Sequence, residues 1–177
     1  FGDERVLWLD GGNQYARSAE LITSEKEIMK DYFNLMNITA TTLGYDEYDL
    51  DFNEMKLLIN KSLFPYLASN LIDNKSKEFK FISNGIERNG TNQYGHKKYT
   101  IKQIILPNKD IIKIAILGVG AVINEIGERP FKGKGWEDFD FDEISTSLNN
   151  TINEIKQNNF DINAIIGIIH SGINCHN

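Results

Sequence analysis

Hydrophobic positions along the chain alternate between the spacing of helices and the spacing of buried strands. Val6–Leu9 is a continuous apolar run, as expected of a buried parallel strand. Apolar residues within Glu25–Thr41 recur every three or four positions, which predicts a long amphipathic helix. A weaker helical pattern covers Glu54–Leu63 and stops before Pro65, because the residue preceding a proline avoids helical backbone angles.

The second half of the chain continues this alternation. Tyr66–Leu71 is a further strand candidate, and Tyr99–Leu106 and Ile111–Leu117 flank Pro-Asn-Lys-Asp, which predicts a hairpin. Glu143–Gln157 carries its apolar residues on one helical face, and Asp161–Ile169 is predicted to be the last buried strand. Helices alternating with strands, with one hairpin inserted, predict an α/β fold with a mixed sheet.

Composition narrows the class of protein. At 177 residues, 41% of them hydrophobic, the chain suits one globular core, and no apolar run is long enough to cross a bilayer. The net charge of −6 argues against a general nucleic-acid binder, since such proteins need clustered lysine and arginine. The single cysteine, Cys175, excludes an internal disulfide framework and a cysteine-based zinc site.

Polar residues follow three of the predicted strands and turns. In open α/β sheets, ligands bind outside the carboxyl ends of the strands. The candidates here are Asp10–Asn13, the acidic turn Asp46–Glu54, and His170 at the end of the last strand. A single histidine at a strand end is more often structural than a ligand, and an acidic run is more often solvated surface than a cation site.

Five segments, in this order, carry a resemblance to a known family. They are LWLDGGNQY, LGYDEYDLDFNE, FPYLASNL, KYTIKQI with IIKIAILGVG, and FDINAIIGIIHSG. Together they resemble the 5′-nucleotidase family of the metallophosphoesterase (calcineurin-like phosphoesterase) superfamily. The resemblance implies a two-sheet mixed α/β sandwich, with residues 1–177 as a single, incomplete catalytic domain that lacks the family's opening Asp-x-His strand and closing Gly-His-x-His loop.

The resemblance also implies where catalysis would occur. The family hydrolyses phosphate esters with two divalent metal ions, such as Zn or Mn, which in two-metal sites lie roughly 3.5–4 Å apart. His170 stands where the family has a metal-binding histidine, and Glu54 is retained from a Gly-Asn-His-Glu motif. Asn13 replaces the bridging aspartate, Phe52 replaces a metal-ligating asparagine, and Asn53 replaces the histidine that assists phosphoryl transfer.

These replacements predict a degenerate member of the family, without a metal cofactor and with a structural or protein-interaction role. An amide compensates two dications poorly, and a phenyl ring offers no donor atom. One alternative is an active metal-dependent nucleotide phosphohydrolase whose missing ligands come from outside this segment. Another is a nucleotide-binding sensor that keeps the substrate pocket without the catalyst.

The segment Asn124–Asp142 is the first candidate for a surface that binds other proteins. Phe131, Trp136, Phe139 and Phe141 lie among charged residues there, and aromatic residues among polar ones are common at interfaces. An equally good interpretation is that these rings pack the segment against the core.

Overall fold

A computed structural model describes residues 5–15, 27–83, 87–88, 91–92, 94–120, 131 and 133–171. The strands are β1 (Leu9–Asp10), β2 (Ala40–Thr42), β3 (Pro65–Leu67), β4 (Leu71–Asp73), β5 (Glu87–Arg88), β6 (Thr91–Asn92), β7 (Gly95–Lys97), β8 (Tyr99–Ile105), β9 (Ile111–Val119), β10 (Phe139–Phe141) and β11 (Ala164–Ile169). The helices are α1 (Glu27–Met36), α2 (Tyr45–Asp49), α3 (Phe52–Lys61) and α4 (Ile144–Asn158).

Two sheets form the centre of the fold. The first has the order β1-β2-β3-β7 with every pair parallel. The second has the order β11-β9-β8, in which β11 runs parallel to β9 and β8 runs antiparallel to it. Strands β10 and β4 form a separate antiparallel ribbon, as do β5 and β6. The predicted mixed α/β architecture with two sheets is therefore confirmed.

The two sheets pack face to face, with helices on the outside. Leu67 of the first sheet and Ile116 of the second lie in one apolar cluster. Gly118 makes this close approach possible, because a Cβ at that position would collide with the side chain and carbonyl of Leu67. Helix α4 covers the outer face of the second sheet, where Ile155 packs against Ala115.

Helices α1 and α3 cover the outer face of the first sheet. Phe33 of α1 and Leu58 of α3 belong to the same buried cluster as Tyr66 of β3. The layers therefore follow the order helices, first sheet, second sheet, helix. Within the described part of the chain, no helix is long and apolar enough to cross a bilayer.

The predicted helix Glu25–Thr41 was too long at its carboxyl end. Helix α1 ends at Met36, and Asn37 adopts a left-handed backbone conformation with φ +53° that stops the helix. Ala40–Thr42 then forms a fully buried parallel strand, where β-branched threonines are favoured. Residues 25–26 lie outside the described part of the chain.

Other boundaries were confirmed or corrected in detail. The predicted hairpin corresponds to β8 and β9, and the last predicted helix corresponds to α4. The predicted strand Tyr66–Leu71 is instead two short strands, because the chain turns at Ala68, whose carbonyl accepts a hydrogen bond from the Leu71 N–H at 3.2 Å. Helix α2, within the acidic turn, was not predicted.

The first and last predicted strands are less buried than expected. Val6 and Trp8 are 46% and 47% exposed and Ile169 is 48% exposed. Of the predicted strand Val6–Leu9, only Leu9 lies in β1, so that prediction was wrong for Val6–Trp8. Ile169 ends β11, and β1 and β11 each lie at the edge of a sheet. The two edges lie against each other, with Leu9 and Ile168 in one cluster. This stacking places the carboxyl ends of both strands near each other.

Candidate functional site at the strand exits

The predicted polar exits of the strands meet in the structure. The imidazole Nδ1 of His170, just after β11, lies 2.6 Å from the carbonyl oxygen of Gly11, just after β1. The same ring packs edge-to-face on Tyr45, at the start of α2, with ring centroids 5.0 Å apart. Three segments far apart in sequence therefore converge at one edge of the sandwich, as the order of the strands requires.

The hydrogen bond of His170 defines its tautomer. A carbonyl oxygen can only accept, so Nδ1 carries the proton and donates it to Gly11. In the neutral ring, Nε2 then keeps its lone pair. Metal-binding histidines commonly show this arrangement, with one ring nitrogen donating to a carbonyl and the other free to ligate.

Asn13 belongs to a tight loop after β1. Its backbone is left-handed, with φ +64°, which asparagine tolerates better than most residues. Its side-chain Oδ1 accepts a hydrogen bond from the backbone N–H of Asp46 at 3.2 Å. The amide oxygen therefore ties the β1 loop to helix α2.

Asp10 organises the same loop. Its Oδ2 accepts hydrogen bonds from the Gly12 N–H at 2.9 Å, from the Gln14 amide at 2.8 Å and from the Thr41 hydroxyl at 2.8 Å. Such a carboxylate-to-backbone turn is a common way to shape a loop. The structure thus gives Asp10 three hydrogen-bond partners inside the protein.

Glu47 is a buried residue of the strand exits that the sequence did not single out from the acidic turn. Its carboxylate is fully buried and accepts three backbone hydrogen bonds, from Asn13 at 2.9 Å, Gln14 at 2.7 Å and Gly44 at 2.5 Å. Burial raises the pKa of Glu47 to about 7, while these backbone hydrogen bonds oppose the rise. The interpretation of the acidic turn as solvated surface was therefore wrong for Glu47.

No local sequence pattern distinguishes Glu47 from the other acidic residues of its turn. Its donors are the backbone N–H groups of Asn13, Gln14 and Gly44, which every residue except proline carries. Gly12, with φ +88°, lies so close to Gly44 that a Cβ on Gly12 would come within 2.6 Å of the Gly44 nitrogen. Gly44 is close to Glu47 in sequence, and tertiary structure brings the N–H groups of Asn13 and Gln14 to the same carboxylate.

Phe52, Asn53 and Glu54 begin helix α3. The Phe52 ring packs against Trp136 and Phe139, with centroid distances of 5.2 Å to each, and not against the strand exits. The Asn53 side chain is exposed, and Glu54 is partly buried. The structure thus places Asn13 and His170 at the strand exits, whereas the ring of Phe52 lies in the aromatic cluster with Trp136 and Phe139.

The aromatic residues of the segment 124–142 pack inward. Trp136 is 2% exposed, and its indole N–H donates to the Leu50 carbonyl at 2.8 Å. Phe139 is also buried, and Phe131 stacks on Phe141 with centroids 4.5 Å apart. For these residues, the interpretation that the rings pack the segment against the core is confirmed; residues 124–130 and 132 lie outside the described part of the chain.

Among the described residues, the donor set at the exits does not fit a two-metal centre. His170 supplies one imidazole nitrogen, and the Oδ1 of Asn13, which accepts a hydrogen bond from the Asp46 N–H, is an uncharged donor atom. No group of three or more histidine, cysteine, aspartate or glutamate side chains within the described ranges is arranged to hold a metal ion. Two adjacent dications need bridging negative charge, which an amide cannot supply.

Comparisons with known proteins establish the fold. No family model matches the sequence, and no curated protein is significantly similar to it. Among solved structures, an NAD nucleotidase of Haemophilus influenzae is similar at 24% identity and a TM-score of 0.65, over 94% of this chain and 25% of that one. A calcineurin-like phosphoesterase of Bacillus subtilis is similar at 19% identity and a TM-score of 0.68, over 97% of this chain and 50% of that one.

A 5′-nucleotidase precursor of Thermus thermophilus is similar at 14% identity and a TM-score of 0.67, over 94% of this chain and 28% of that one. The chain therefore has the fold of the 5′-nucleotidases and calcineurin-like phosphoesterases. It spans between 25% and 50% of the length of these neighbours. That residues 1–177 form a single, incomplete domain stays a prediction.

Proposed function

We propose that this chain is a noncatalytic form of the 5′-nucleotidase-like phosphoesterase fold, with a structural or protein-interaction role. The observation that carries the proposal is the state of Asn13. It stands at the position where the resemblance puts the bridging aspartate, and its side-chain oxygen is used to hold helix α2. An amide there supplies no charge to two metal ions.

The buried carboxylate of Glu47 supports the same proposal. It connects the loop after β1 to the start of α2 through three backbone N–H groups. In a two-metal enzyme, ligands from several loops are held together by the ions they share. Here hydrogen bonds from backbone N–H groups to one carboxylate join the two loops.

Phe52 provides independent support. The ring at the position of a metal-ligating asparagine is integrated into the aromatic cluster with Trp136 and Phe139. The phenyl ring has no atom that can bind a metal ion, and its contacts with two other rings stabilise the fold. Restoring an asparagine there would remove ring contacts as well as add a ligand.

A second candidate function is supported by His170. Its Nδ1–H donates to Gly11, which leaves Nε2 in the form that binds a metal. An active metal-dependent nucleotide phosphohydrolase would need further ligands from segments outside these residues. Zn or Mn would then supply the activated water and neutralise the phosphoryl oxygens.

The test is a metal analysis of the purified full-length protein by mass spectrometry, together with an AMP-hydrolysis assay in added Zn and Mn. The proposal expects substoichiometric metal and no turnover above that of a His170→Ala variant. Near-stoichiometric metal together with hydrolysis that His170→Ala abolishes would overturn it and establish the second candidate.

The role itself is tested in the source cells. A noncatalytic role predicts that cells carrying His170→Ala behave like the wild type, whereas Trp136→Ala, which removes a buried core residue, causes loss of function. Loss of function in His170→Ala cells, with normal protein abundance, would count against a structural role.

A further inference from the structure

A cleft of about 650 Å³ lies between the segment that follows β4, the junction of β7 and β8, and helix α4. Three aromatic rings line it, those of Phe79, Phe81 and Tyr99. Four charged side chains also line it: Glu78, Lys97, Lys98 and Glu154. Small-molecule sites have volumes of roughly 300–1,000 Å³ and typically combine aromatic walls with a few polar groups. The cleft therefore has the size and the lining of a ligand site.

Phe79 is a fixed part of the wall. Its ring stacks on the buried imidazole of His96, with centroids 5.2 Å apart and an angle of 25° between the ring planes. The Nζ of Lys98 lies 5.4 Å from the centroid of the same ring, within the range of a cation–π contact. Its backbone also pairs with Ile72 of β4. The protein thus holds this ring in place before any ligand binds.

Phe81 is the exposed ring of the cleft. It packs edge-to-face with Phe79, with centroids 4.8 Å apart, yet 57% of its surface is exposed. A planar ligand that stacked on Phe81 would remove apolar area from water and add a ring–ring contact. Because Phe79 already orients this ring, little side-chain freedom would be lost on binding.

An ion pair supplies the polar groups of the cleft. The Nζ of Lys98 and the Oε2 of Glu154 lie 2.7 Å apart, and both side chains are partly exposed. A lysine ammonium has three N–H donors and a carboxylate has two acceptor oxygens, so one mutual hydrogen bond does not exhaust either group. An uncharged group that both donates and accepts, such as a carboxamide, can bond to both without breaking the pair.

We propose that this cleft binds a small planar aromatic molecule that carries a carboxamide-like group. Phe81 stacks on the aromatic ring, and the pair Lys98–Glu154 holds the polar group. The proposal does not rest on the noncatalytic role proposed for the strand exits, because neither His170 nor Asn13 lines the cleft.

The test is a titration of the full-length protein with benzamide, followed by the backbone amide signals in NMR spectra. Saturable shifts at Phe81, Tyr99 and their neighbours are expected, with a Kd in the millimolar range because the probe is small. Cyclohexanecarboxamide carries the same amide on a saturated ring. It should bind about fivefold more weakly, since it cannot form the ring–ring contact.

Two variants separate the ring from the ion pair. Phe81→Ala should weaken benzamide binding about fivefold and remove the preference for benzamide over cyclohexanecarboxamide, whereas Phe81→Tyr should retain both. Glu154→Ala should weaken both ligands about threefold through the lost acceptor but keep the preference. Both residues are partly exposed, and the same NMR spectra report whether each variant is folded.

Phe160→Ala is the matched control. It removes a ring that is 94% exposed and does not line this cleft, so it should bind benzamide like the wild type. An equal loss of affinity in Phe160→Ala and Phe81→Ala would mean nonspecific attraction to exposed rings and would overturn the proposal. Equal affinity of the wild type for the two ligands, or no saturable shifts at Phe81 and Tyr99, would overturn it as well.

Discussion

The strand exits and the aromatic cluster adjoin the same short helix but are held together by different forces. Glu47 and Tyr48 are neighbours in α2, and both are fully buried. Glu47 accepts backbone hydrogen bonds from the loop after β1. Tyr48 packs edge-to-face on Trp136 and Phe141, with centroids 5.2 and 5.3 Å apart.

Hydrogen bonding at the strand exits and ring packing in the aromatic cluster determine how each region responds to substitution. Hydrogen bonds to a buried carboxylate depend on individual atoms and on protonation. Apolar packing depends on the area and volume of the side chains and hardly on pH. Substitutions in the aromatic cluster should therefore act through lost volume, and those at the exits through single acceptor atoms and charge.

The largest effect is expected from Trp136→Ala. Removing a buried indole from the cluster, together with its hydrogen bond to Leu50, should lower the free energy of unfolding by about 3–5 kcal/mol in urea titrations. Phe160→Ala is the control, since this ring is 94% exposed, and it should change stability by less than about 0.5 kcal/mol. Equal effects of the two variants would refute the packing assigned to Trp136.

Next in size is Glu47→Gln, measured at pH 5. At pH 5 the folded side chain is protonated, because its pKa is raised to about 7, but its hydroxyl oxygen can still accept a hydrogen bond. The amide nitrogen of glutamine can only donate and would face backbone N–H groups, which should cost about 1–3 kcal/mol of unfolding free energy. Glu78→Gln on the exposed surface should leave stability unchanged. A fully stable Glu47→Gln protein would mean that the carboxylate does not hold the loops.

The pH dependence separates the exits from the cluster. The pKa of Glu47 is raised in the folded state to about 7, so its contribution is fully present below the unfolded pKa near 4.5 and is lost as the pH rises through 7. The stability gap between wild type and Glu47→Gln should narrow by about 2 kcal/mol from pH 5 to pH 7. The gap between wild type and Trp136→Ala should stay constant.

The pH dependence due to Glu47 has to be measured as the difference in unfolding free energy between wild type and Glu47→Gln. The reason is that His96 makes the wild-type protein more stable as the pH rises, which opposes the effect of Glu47. Burial lowers the pKa of His96 to about 3, so below pH 6.5 the unfolded chain takes up a proton that the folded chain excludes. The His96 contribution is common to both proteins and cancels. A gap that widens between pH 5 and pH 7 would contradict the raised pKa of Glu47.

The smallest effect is expected from Tyr15→Phe. The Tyr15 and Tyr66 hydroxyls are hydrogen-bonded at 2.7 Å inside the core, and losing that bond should cost about 0.5–1.5 kcal/mol in the same urea titrations. Tyr32→Phe, at a half-exposed ring, is the control and should have no measurable effect. Destabilisation by the control alone would contradict the hydrogen bond assigned to Tyr15.

Local patterns predicted much of the fold. The hairpin β8–β9 and helix α4 follow from periodicity and turn residues, because neighbouring residues along the chain decide them. The boundary between α1 and β2 was wrong, since the left-handed residue Asn37 and the burial of Ala40–Thr42 override helical spacing. Strand order brought Asn13 and His170 to one edge, as the resemblance implied.

The sequence by itself determined the alternation of elements, the segments that resemble the 5′-nucleotidases, and the residue types at the exits. Tertiary structure alone decided which charges are buried. Glu47 and Asp51 belong to the same acidic run, yet Glu47 is fully buried and Asp51 is exposed. The physical reason is that burial of a carboxylate requires donors, and two of the three donors of Glu47, the N–H groups of Asn13 and Gln14, come from a loop more than thirty residues away.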